Sequence, residues 1–169
     1  MKAILHCDKK WGIGKKNDLM FHLPEDMKFF RRTTLGKTVV MGSNTLLSFP
    51  NGKPLPKRNN IVLWPNGDKE RAKEDGFTLV ESLGELFALL RGMDDEIYVI
   101  GGAMMYRTLL PYCNEVLLTK VDADGGAEVS FPNLDEMDEW TLTEESEPMN
   151  DNGYVIRFCT YSNSEVKDL

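Results

Sequence analysis

Residues 96–111 read Glu-Ile-Tyr-Val-Ile-Gly-Gly-Ala-Met-Met-Tyr-Arg-Thr-Leu-Leu-Pro, and this stretch decides the fold class. Its β-branched and aromatic run predicts a buried strand over 96–100. The two glycines at 101–102 let the backbone turn, and a helix is expected after them, which Pro111 ends. A strand that passes directly into a helix is the unit from which parallel α/β sheets are built.

Strand-like and helix-like runs alternate on both sides of this unit. Further strands are expected over 3–7, 38–41, 61–64, 77–80 and 115–121, and helices over 23–33, over 45–48 and from Ser82 onward. Two more strands, 140–143 and 153–161, are joined by a turn at 149–153 whose Asn-Gly pair suits positive φ angles. The pattern predicts an α/β fold with a largely parallel sheet and antiparallel strands at one edge. No linker divides the chain, so residues 1–169 are expected to form a single domain.

The composition argues against several classes of function. The 169 residues are 41% hydrophobic and 28% charged, which is ordinary for a globular protein. The net charge is −7 and the basic residues form no stripe, so neither nucleic acid nor an anionic membrane is an expected partner. No apolar run could span a bilayer, and the N-terminal run is too short for a secretion signal. A cytoplasmic monomer is therefore expected.

The cysteines and histidines form no pattern that indicates metal binding or nucleophilic catalysis. Cys7, Cys113 and Cys159 are far apart and include no Cys-x-x-Cys pair. His6 and His22 have no partner at metal-ligand spacing, and His22 is expected on the surface. No Gly-x-Ser-x-Gly motif is present, which argues against a serine hydrolase. No metal site is predicted.

One acid, Asp26, lies where an acid is costly. Pro24 marks the start of its helix, on which Leu23, Met27 and Phe30 are predicted to form a buried stripe. Asp26 projects toward the same stripe, where it loses hydration and stays ionised only if donors reach it. It is thus a candidate anchor for a cationic or amidine-like ligand. The alternative is that it only complements the positive end of the helix.

Two strand-to-helix junctions are candidate phosphate sites. The first is Gly42-Ser43-Asn44-Thr45 and the second is Gly101-Gly102. Free N–H groups at such junctions can hold phosphate, although each junction alone could be simple helix capping. Two in one small domain favour a ligand with two phosphates. Neither the Gly-x-Gly-x-x-Gly nor the P-loop motif is present, which argues against an ordinary Rossmann protein and a P-loop kinase.

Two further segments could serve a binding site. The glycine-containing stretch 11–19 is long enough to act as a lid, or it is an exposed turn anchored by Trp11. Pro54 and Pro56 stiffen the approach to Arg58, which could then clamp a carboxylate. Taken alone, Arg58 could equally be a solvated surface residue.

Taken in the order in which they occur along the chain, these motifs resemble those of the dihydrofolate reductase family, and the resemblance covers nearly the whole chain. The matching motifs are Trp11-Gly-Ile-Gly, residues 23–30, Val40-Met41-Gly42 with Thr45, Pro54-Leu55-Pro56 with Arg58, Ile100-Gly101-Gly102 with Tyr106, Leu118-Thr119 and Phe131-Pro132. The resemblance implies a three-layer fold, with a mostly parallel central sheet of about eight strands, helices on both faces and an antiparallel C-terminal hairpin. It implies reduction of 7,8-dihydrofolate to 5,6,7,8-tetrahydrofolate by hydride from NADPH.

The resemblance also implies a substrate site with Asp26 as its catalytic residue and only ionisable active-site group. Asp26 would grip the 2-amino group and ring N–H of the pterin and favour protonation at N5 before hydride reaches C6. Thr119 would support that carboxylate, and Arg58 would clamp the glutamate carboxylate of the substrate. The substrate-binding residues implied are Ile4, Leu5, Asp26, Met27, Phe30, Leu55, Arg58, Ile100, Tyr106 and Thr119.

The implied cofactor site includes backbone groups of His6 and Ile13 at the nicotinamide and the loop through Leu19 as its lid. The cofactor-binding residues implied are His6, Ile13, Gly14, Asn17, Asp18, Leu19, Gly42, Ser43, Asn44, Thr45, Leu63, Trp64, Gly101, Gly102, Ala103, Met104 and Met105. Three of them depart from the family pattern, because Ser43, Trp64 and Met104 stand where hydroxyl or basic partners of the 2′-phosphate are usual. A smaller preference for NADPH over NADH than is usual is therefore predicted. His6 and Cys7 also replace small apolar residues beside the nicotinamide.

Two other functions compete with this interpretation. One is a reductase of the same fold that acts on a pyrimidine intermediate of riboflavin synthesis. The other is a catalytically silent folate- or nucleotide-binding protein, which the missing cations would suit. Asp26, Thr119 and Arg58 together favour the reductase of dihydrofolate.

Overall fold

The computed structural model describes residues 1–16 and 18–169, so the cofactor prediction at Asn17 lies outside the described residues. The strands are β1 (Lys2–Cys7), β2 (Gly12–Gly14), β3 (Thr38–Gly42), β4 (Asn59–Leu63), β5 (Thr78–Val80), β6 (Ile97–Gly101), β7 (Glu115–Val121), β8 (Val129–Ser130), β9 (Trp140–Glu145), β10 (Met149–Asp151) and β11 (Tyr154–Asn163). The α-helices are α1 (Pro24–Thr34), α2 (Ser43–Ser48), α3 (Lys69–Asp75), α4 (Leu83–Arg91) and α5 (Ala103–Leu109). Short 3-10 turns occur at Pro50–Gly52, Leu110–Tyr112 and Leu134–Glu136.

The main sheet has the strand order β10-β11-β7-β1-β6-β3-β4-β5, and β9 pairs with the other end of β11. The pairs from β7 through β5 are all parallel. Strand β11 runs antiparallel to β7, β9 and β10. The tight turn between β10 and β11 places Asn152 at φ 54° and Gly153 at φ 87°, as its Asn-Gly sequence predicted. The predicted, mostly parallel sheet with an antiparallel C-terminal hairpin is confirmed.

The sheet is buried on both faces because alternate residues of its central strands enter two different hydrophobic cores. Val39 and Met41 pack in a core with Leu46 of α2, Ala72 of α3 and side chains of α1. Val40 lies in the other core, with residues of α4 and α5. Helices therefore cover both faces of the sheet, and the three-layer prediction is confirmed.

Four elements were not predicted: helix α3 and strands β2, β8 and β10. Strand β10 (Met149–Asp151) lies in the segment 149–153, which was predicted to be a turn, and only 152–153 turn there. Helix α3 buries only Ala72, so it has no apolar stripe, and it is defined by the Asp68 cap and by Gly76 at φ 77°. Strands β2 and β8 are three and two residues long and form a separate two-stranded sheet. Such short, glycine-containing pairs have no hydrophobic alternation to detect.

The buried stripe predicted on α1 is wrong at one position. Leu23 is buried and Phe30 is half-buried, but Met27 is 51% exposed. The helix packs on the sheet through Phe29 and Phe30, and it buries Thr34. Met27 therefore lies at the rim of the packed face, one turn before the residues that meet the core.

The N-terminus of α1 is held by the C-terminal hairpin. Asp151 is 2% exposed, and its carboxylate accepts the N–H groups of Glu25 and Asp26, each at 3.1 Å. The side-chain amide of Asn152 donates to the carbonyl oxygen of His22 at 2.9 Å. The helix has no side-chain cap of its own, so Asp151 takes that role from a distant part of the chain.

Replacing Asp151 by alanine is expected to lower the free energy of unfolding by about 1–2 kcal/mol, because it leaves two N–H groups of α1 without an acceptor. Asp151→Asn keeps one acceptor oxygen and should lose less. Urea denaturation measures both, with the exposed Glu147→Ala as the matched control. Equal stability of the Asp151→Ala variant and the control would show that the cap is not needed.

Candidate active site

Asp26 lies against the central sheet and not in bulk water. Its side chain is 14% exposed. Thr119 of β7, itself 1% exposed, donates its hydroxyl to Asp26 Oδ1 at 2.6 Å. A hydrogen bond to a carboxylate in such a place partly replaces the water that burial removed. The structure thus brings together the acid and the threonine that the sequence analysis singled out, although 93 residues separate them.

The second carboxylate oxygen of Asp26 faces the side chain of His6. His6 Nδ1 lies 3.4 Å from Asp26 Oδ2, and the imidazole is 7% exposed. His6 pairs in register with Thr119 across β1 and β7, so both residues reach the same acid. Only the backbone of His6 was predicted to serve the site. The alternation of side chains along β1 could have revealed the side-chain role, because residue 6 faces the same side of the sheet as Ile4, two positions earlier.

The apolar residues predicted around the substrate come from both cores. One core contains four of them: Ile4, Phe30, Leu55 and Ile100. Leu5 and Tyr106 belong to the opposite core, and the Tyr106 hydroxyl donates to the carbonyl oxygen of Ile4 at 2.9 Å. Burial raises the pKa of Tyr106, so its hydroxyl stays protonated and remains a donor to β1.

Arg58 is a half-buried cation that lacks a full set of partners. Its Nε is buried, with no hydrogen-bond partner among the described residues. Burial, and then the nearby charge of Arg31, lower the pKa of the Arg58 guanidinium. An incoming carboxylate would relieve both effects, which suits the predicted clamp.

Asn60, which sequence reasoning missed, holds the loop that carries Arg58. This residue is 3% exposed. Its side chain accepts the N–H of Leu55 at 3.0 Å and donates to the carbonyl oxygens of Leu55 at 2.9 Å and Arg58 at 3.1 Å. An asparagine at the start of a strand has no distinctive pattern, so only the loop geometry reveals this role.

The two predicted phosphate junctions lie side by side. Helix α2 begins after Gly42 and α5 after Gly102, and neither N-terminus has a side-chain cap. A Cβ added at Gly101, which has φ 139°, would lie 3.0 Å from Thr45 Oγ1. A Cβ added at Gly42 would lie 3.4 Å from Cγ of Met105. Because β3 and β6 are parallel neighbours, both junctions open at the same edge of the sheet.

Other residues predicted at the cofactor have mixed surroundings. Leu63 and Met105 are buried in the core, so only their backbone could meet a ligand there. Ser43, Trp64 and Ala103 are half-buried, while Asn44 and Met104 are exposed. The peptide bond between Gly101 and Gly102 is cis. No cation occupies positions 43, 64 or 104, where the resemblance implied partners of a phosphate.

The predicted lid, residues 11–19, contacts the segment around β8. Trp11 packs edge-on against Tyr161 at a centroid distance of 6.0 Å, and Gly12 and Gly14 pair with β8. The buried carboxylate of Asp8 accepts N–H groups from both segments, at 2.7 Å from Gly12 and 3.0 Å from Gly125. The other predicted lid residues, Asp18 and Leu19, are exposed.

The cysteines are free and buried, and burial raises the pKa of the Cys7 thiol to about 12. Within residues 1–16 and 18–169, no three His, Cys, Asp or Glu side chains come together as metal ligands would. His22 is exposed, as predicted. In the same ranges, no helix has the length and apolar character that crossing a membrane requires.

Comparisons with known proteins agree with one another. A family model described as Dihydrofolate reductase matches residues 1–163. A dihydrofolate reductase of Bacillus subtilis (strain 168) is 37% identical over 160 residues, 94% of this chain and 91% of the relative. Dihydrofolate reductase type 3 of Salmonella typhimurium is 36% identical over 151 residues, 89% of this chain and 90% of the relative. A solved dihydrofolate reductase from Enterococcus faecalis, complexed with NADP(H) and RAB-propyl, has a TM-score of 0.80 and 28% identity, covering 96% of this chain and 95% of that chain.

The three-layer fold, the half-buried acid held by Thr119 and the two neighbouring helix N-termini define an α/β protein with a ligand site at one edge of its parallel sheet. The comparisons narrow this class: the chain belongs to the dihydrofolate reductase family. It is accordingly an NADPH-dependent enzyme that reduces dihydrofolate to tetrahydrofolate. The comparisons give no support to the pyrimidine reductase or to the silent binding protein.

Proposed function

We propose that Asp26 is the catalytic residue for the reduction of 7,8-dihydrofolate in this chain. The observation that supports this most is the Asp26–Thr119 hydrogen bond, which holds an acid in place where the sheet and α1 meet. The carboxylate accepts two parallel hydrogen bonds, from the 2-amino group and a ring N–H of the pterin. These bonds fix the orientation of the ring and favour protonation at its N5.

The remaining substrate residues act by shape and charge. Ile4, Phe30 and Leu55 offer an apolar wall to the flat ring and the benzoyl group. Arg58 pairs with the glutamate carboxylate of the substrate, which supplies the missing partner of its half-buried guanidinium. Met27, Ile100 and Thr119 complete the proposed substrate site. The side chains of Leu5 and Tyr106 lie in the opposite core, so Leu5 serves the site only through its backbone and Tyr106 only through its hydrogen bond to Ile4.

The adjacent N-termini of α2 and α5 fit a ligand with two phosphates, because each follows a glycine and has no side-chain cap on its first N–H groups. When bound, NADPH supplies the hydride. Ser43 and Thr45 add hydroxyl donors at the first junction, and Gly101 and Gly102 allow close approach at the second. Backbone groups of His6 and Ile13 hold the nicotinamide end, and 11–19 acts as the lid.

The absorbance of reduced nicotinamide, followed with dihydrofolate and either NADPH or NADH, tests this function. Oxidation of NADPH that depends on dihydrofolate is the expected result, and no oxidation of either cofactor would contradict the proposal. The ratio of kcat/KM for NADPH to that for NADH should be smaller than in a relative with cations at the 2′-phosphate, because Ser43, Trp64 and Met104 carry no charge.

The Ser43→Arg variant is the sharpest check of that cofactor preference. It restores a cation at the first junction, and we expect it to raise the NADPH preference about tenfold by lowering the KM for NADPH alone. An unchanged ratio would show that another part of the chain already neutralises the 2′-phosphate. Ser48→Arg, at the exposed far end of the same helix, is the matched control.

We also infer that residues 1–169 form one catalytic domain that acts as a cytoplasmic monomer without nucleic acid. The family match over 1–163 and the net charge of −7 support this inference. Light scattering checks the monomeric state, and cell fractionation checks the location.

A further inference from the structure

The imidazole of His6 is a second ionisable group, and it lies beside the carboxylate of Asp26. Its Nδ1 is 3.4 Å from Asp26 Oδ2, and both side chains are shielded from solvent. Its other ring nitrogen, Nε2, is buried and has no hydrogen-bond partner among the described residues. The groups that face the imidazole are Asp26 from α1, the uncharged Thr119 beside it on β7, and the Phe21 ring at 6.0 Å.

The distance between the two groups restricts how their protons can be arranged. If His6 Nδ1 and Asp26 Oδ2 both lacked a proton, two lone pairs would oppose each other at 3.4 Å with little water between them. A proton between the imidazole and the carboxylate, or a positive charge on the imidazole, would remove that repulsion. In either case the proton occupancy of one group changes the energy of the other.

We propose that His6 is a positioning residue for the reaction: it holds the Oδ2 side of Asp26, as Thr119 holds Oδ1, and its proton occupancy is coupled to that of the carboxylate. This inference rests on the proposed role of Asp26. The pH dependence of turnover then belongs to a histidine–carboxylate pair and not to a single acid.

Nuclear magnetic resonance of the imidazoles in the ligand-free protein tests this pair without any turnover. The chain has two histidines, His6 and the exposed His22, so His22 is a built-in reference, and the His22→Gln variant assigns the signals. In the Asp26→Asn variant, the titration midpoint of His6 should move to lower pH by about one unit, because the neighbouring negative charge is lost. The midpoint of His22 should stay where it is. If His6 titrates alike in both proteins, the proposal is wrong.

Kinetics of His6 variants provide the second measurement. Replacing His6 by glutamine should move the midpoint of the kcat pH profile by at least half a unit to higher pH, because the carboxylate of Asp26 loses the imidazole that can supply a proton or a positive charge to Oδ2. His22→Gln should leave the profile unchanged. If His6→Gln keeps the profile of the wild type, the inference fails even though dihydrofolate is still reduced, which separates it from failure of the proposed function. If His6→Gln does not fold, the magnetic resonance comparison still decides.

Discussion

Replacing Asp26 by asparagine is expected to lower kcat/KM for dihydrofolate near neutral pH by about 100-fold or more, which is the usual effect of removing an acid–base group. Asparagine has nearly the same shape and can still accept the hydroxyl of Thr119, so the fold should survive. It has no negative charge to favour protonation of the substrate. Stopped-flow or steady-state absorbance of NADPH measures the loss.

A neighbouring carboxylate on the same helix provides the control for this variant. Glu25 is exposed, and its Oε1 lies 3.2 Å from Nζ of Lys28. Glu25→Gln therefore removes one negative charge from the same helix without changing a predicted site residue. It should keep nearly the full rate. Full activity of Asp26→Asn, with stability equal to that of Glu25→Gln, would rule out the mechanism proposed for this acid.

Replacing Arg58 by glutamine is expected to raise the KM for dihydrofolate about 10- to 100-fold with little change in kcat. The variant removes one charge-assisted pair with the substrate, and such a pair contributes about 1.5–3 kcal/mol. The variant also removes a half-buried positive charge that Arg31 repels. The free energy of unfolding should therefore not fall.

A truncated substrate makes this test specific. A dihydropterin that lacks the glutamate has no carboxylate for Arg58, so the wild type and Arg58→Gln should reduce it equally well. Lys57→Gln, an exposed cation one residue earlier, serves as the control for a general loss of positive charge. If Arg58→Gln affects both substrates alike, the residue positions the loop and does not clamp a carboxylate.

The sequence predicted the layers of the fold because its strands and helices are defined by local patterns. The stretch 96–111 contains an apolar strand, two glycines and a terminating proline, and each has one common structural meaning. Helix α3 escaped prediction because its seven residues bury only Ala72. The same dependence on local pattern explains the error at Met27, since the pattern does not show how far α1 is rotated on the sheet.

Within the site, the sequence by itself determined the chemical inventory: a carboxylate at Asp26, a hydroxyl at Thr119 and a guanidinium at Arg58. Residue types and short motifs are local properties, and they do not change when the chain folds. Which group meets which depends on strand order and register, because these bring distant segments within a few ångströms. Only the tertiary structure therefore decided that the His6 imidazole lies beside the Asp26 carboxylate, that Asp151 caps α1 and that Asn60 holds the loop of Arg58.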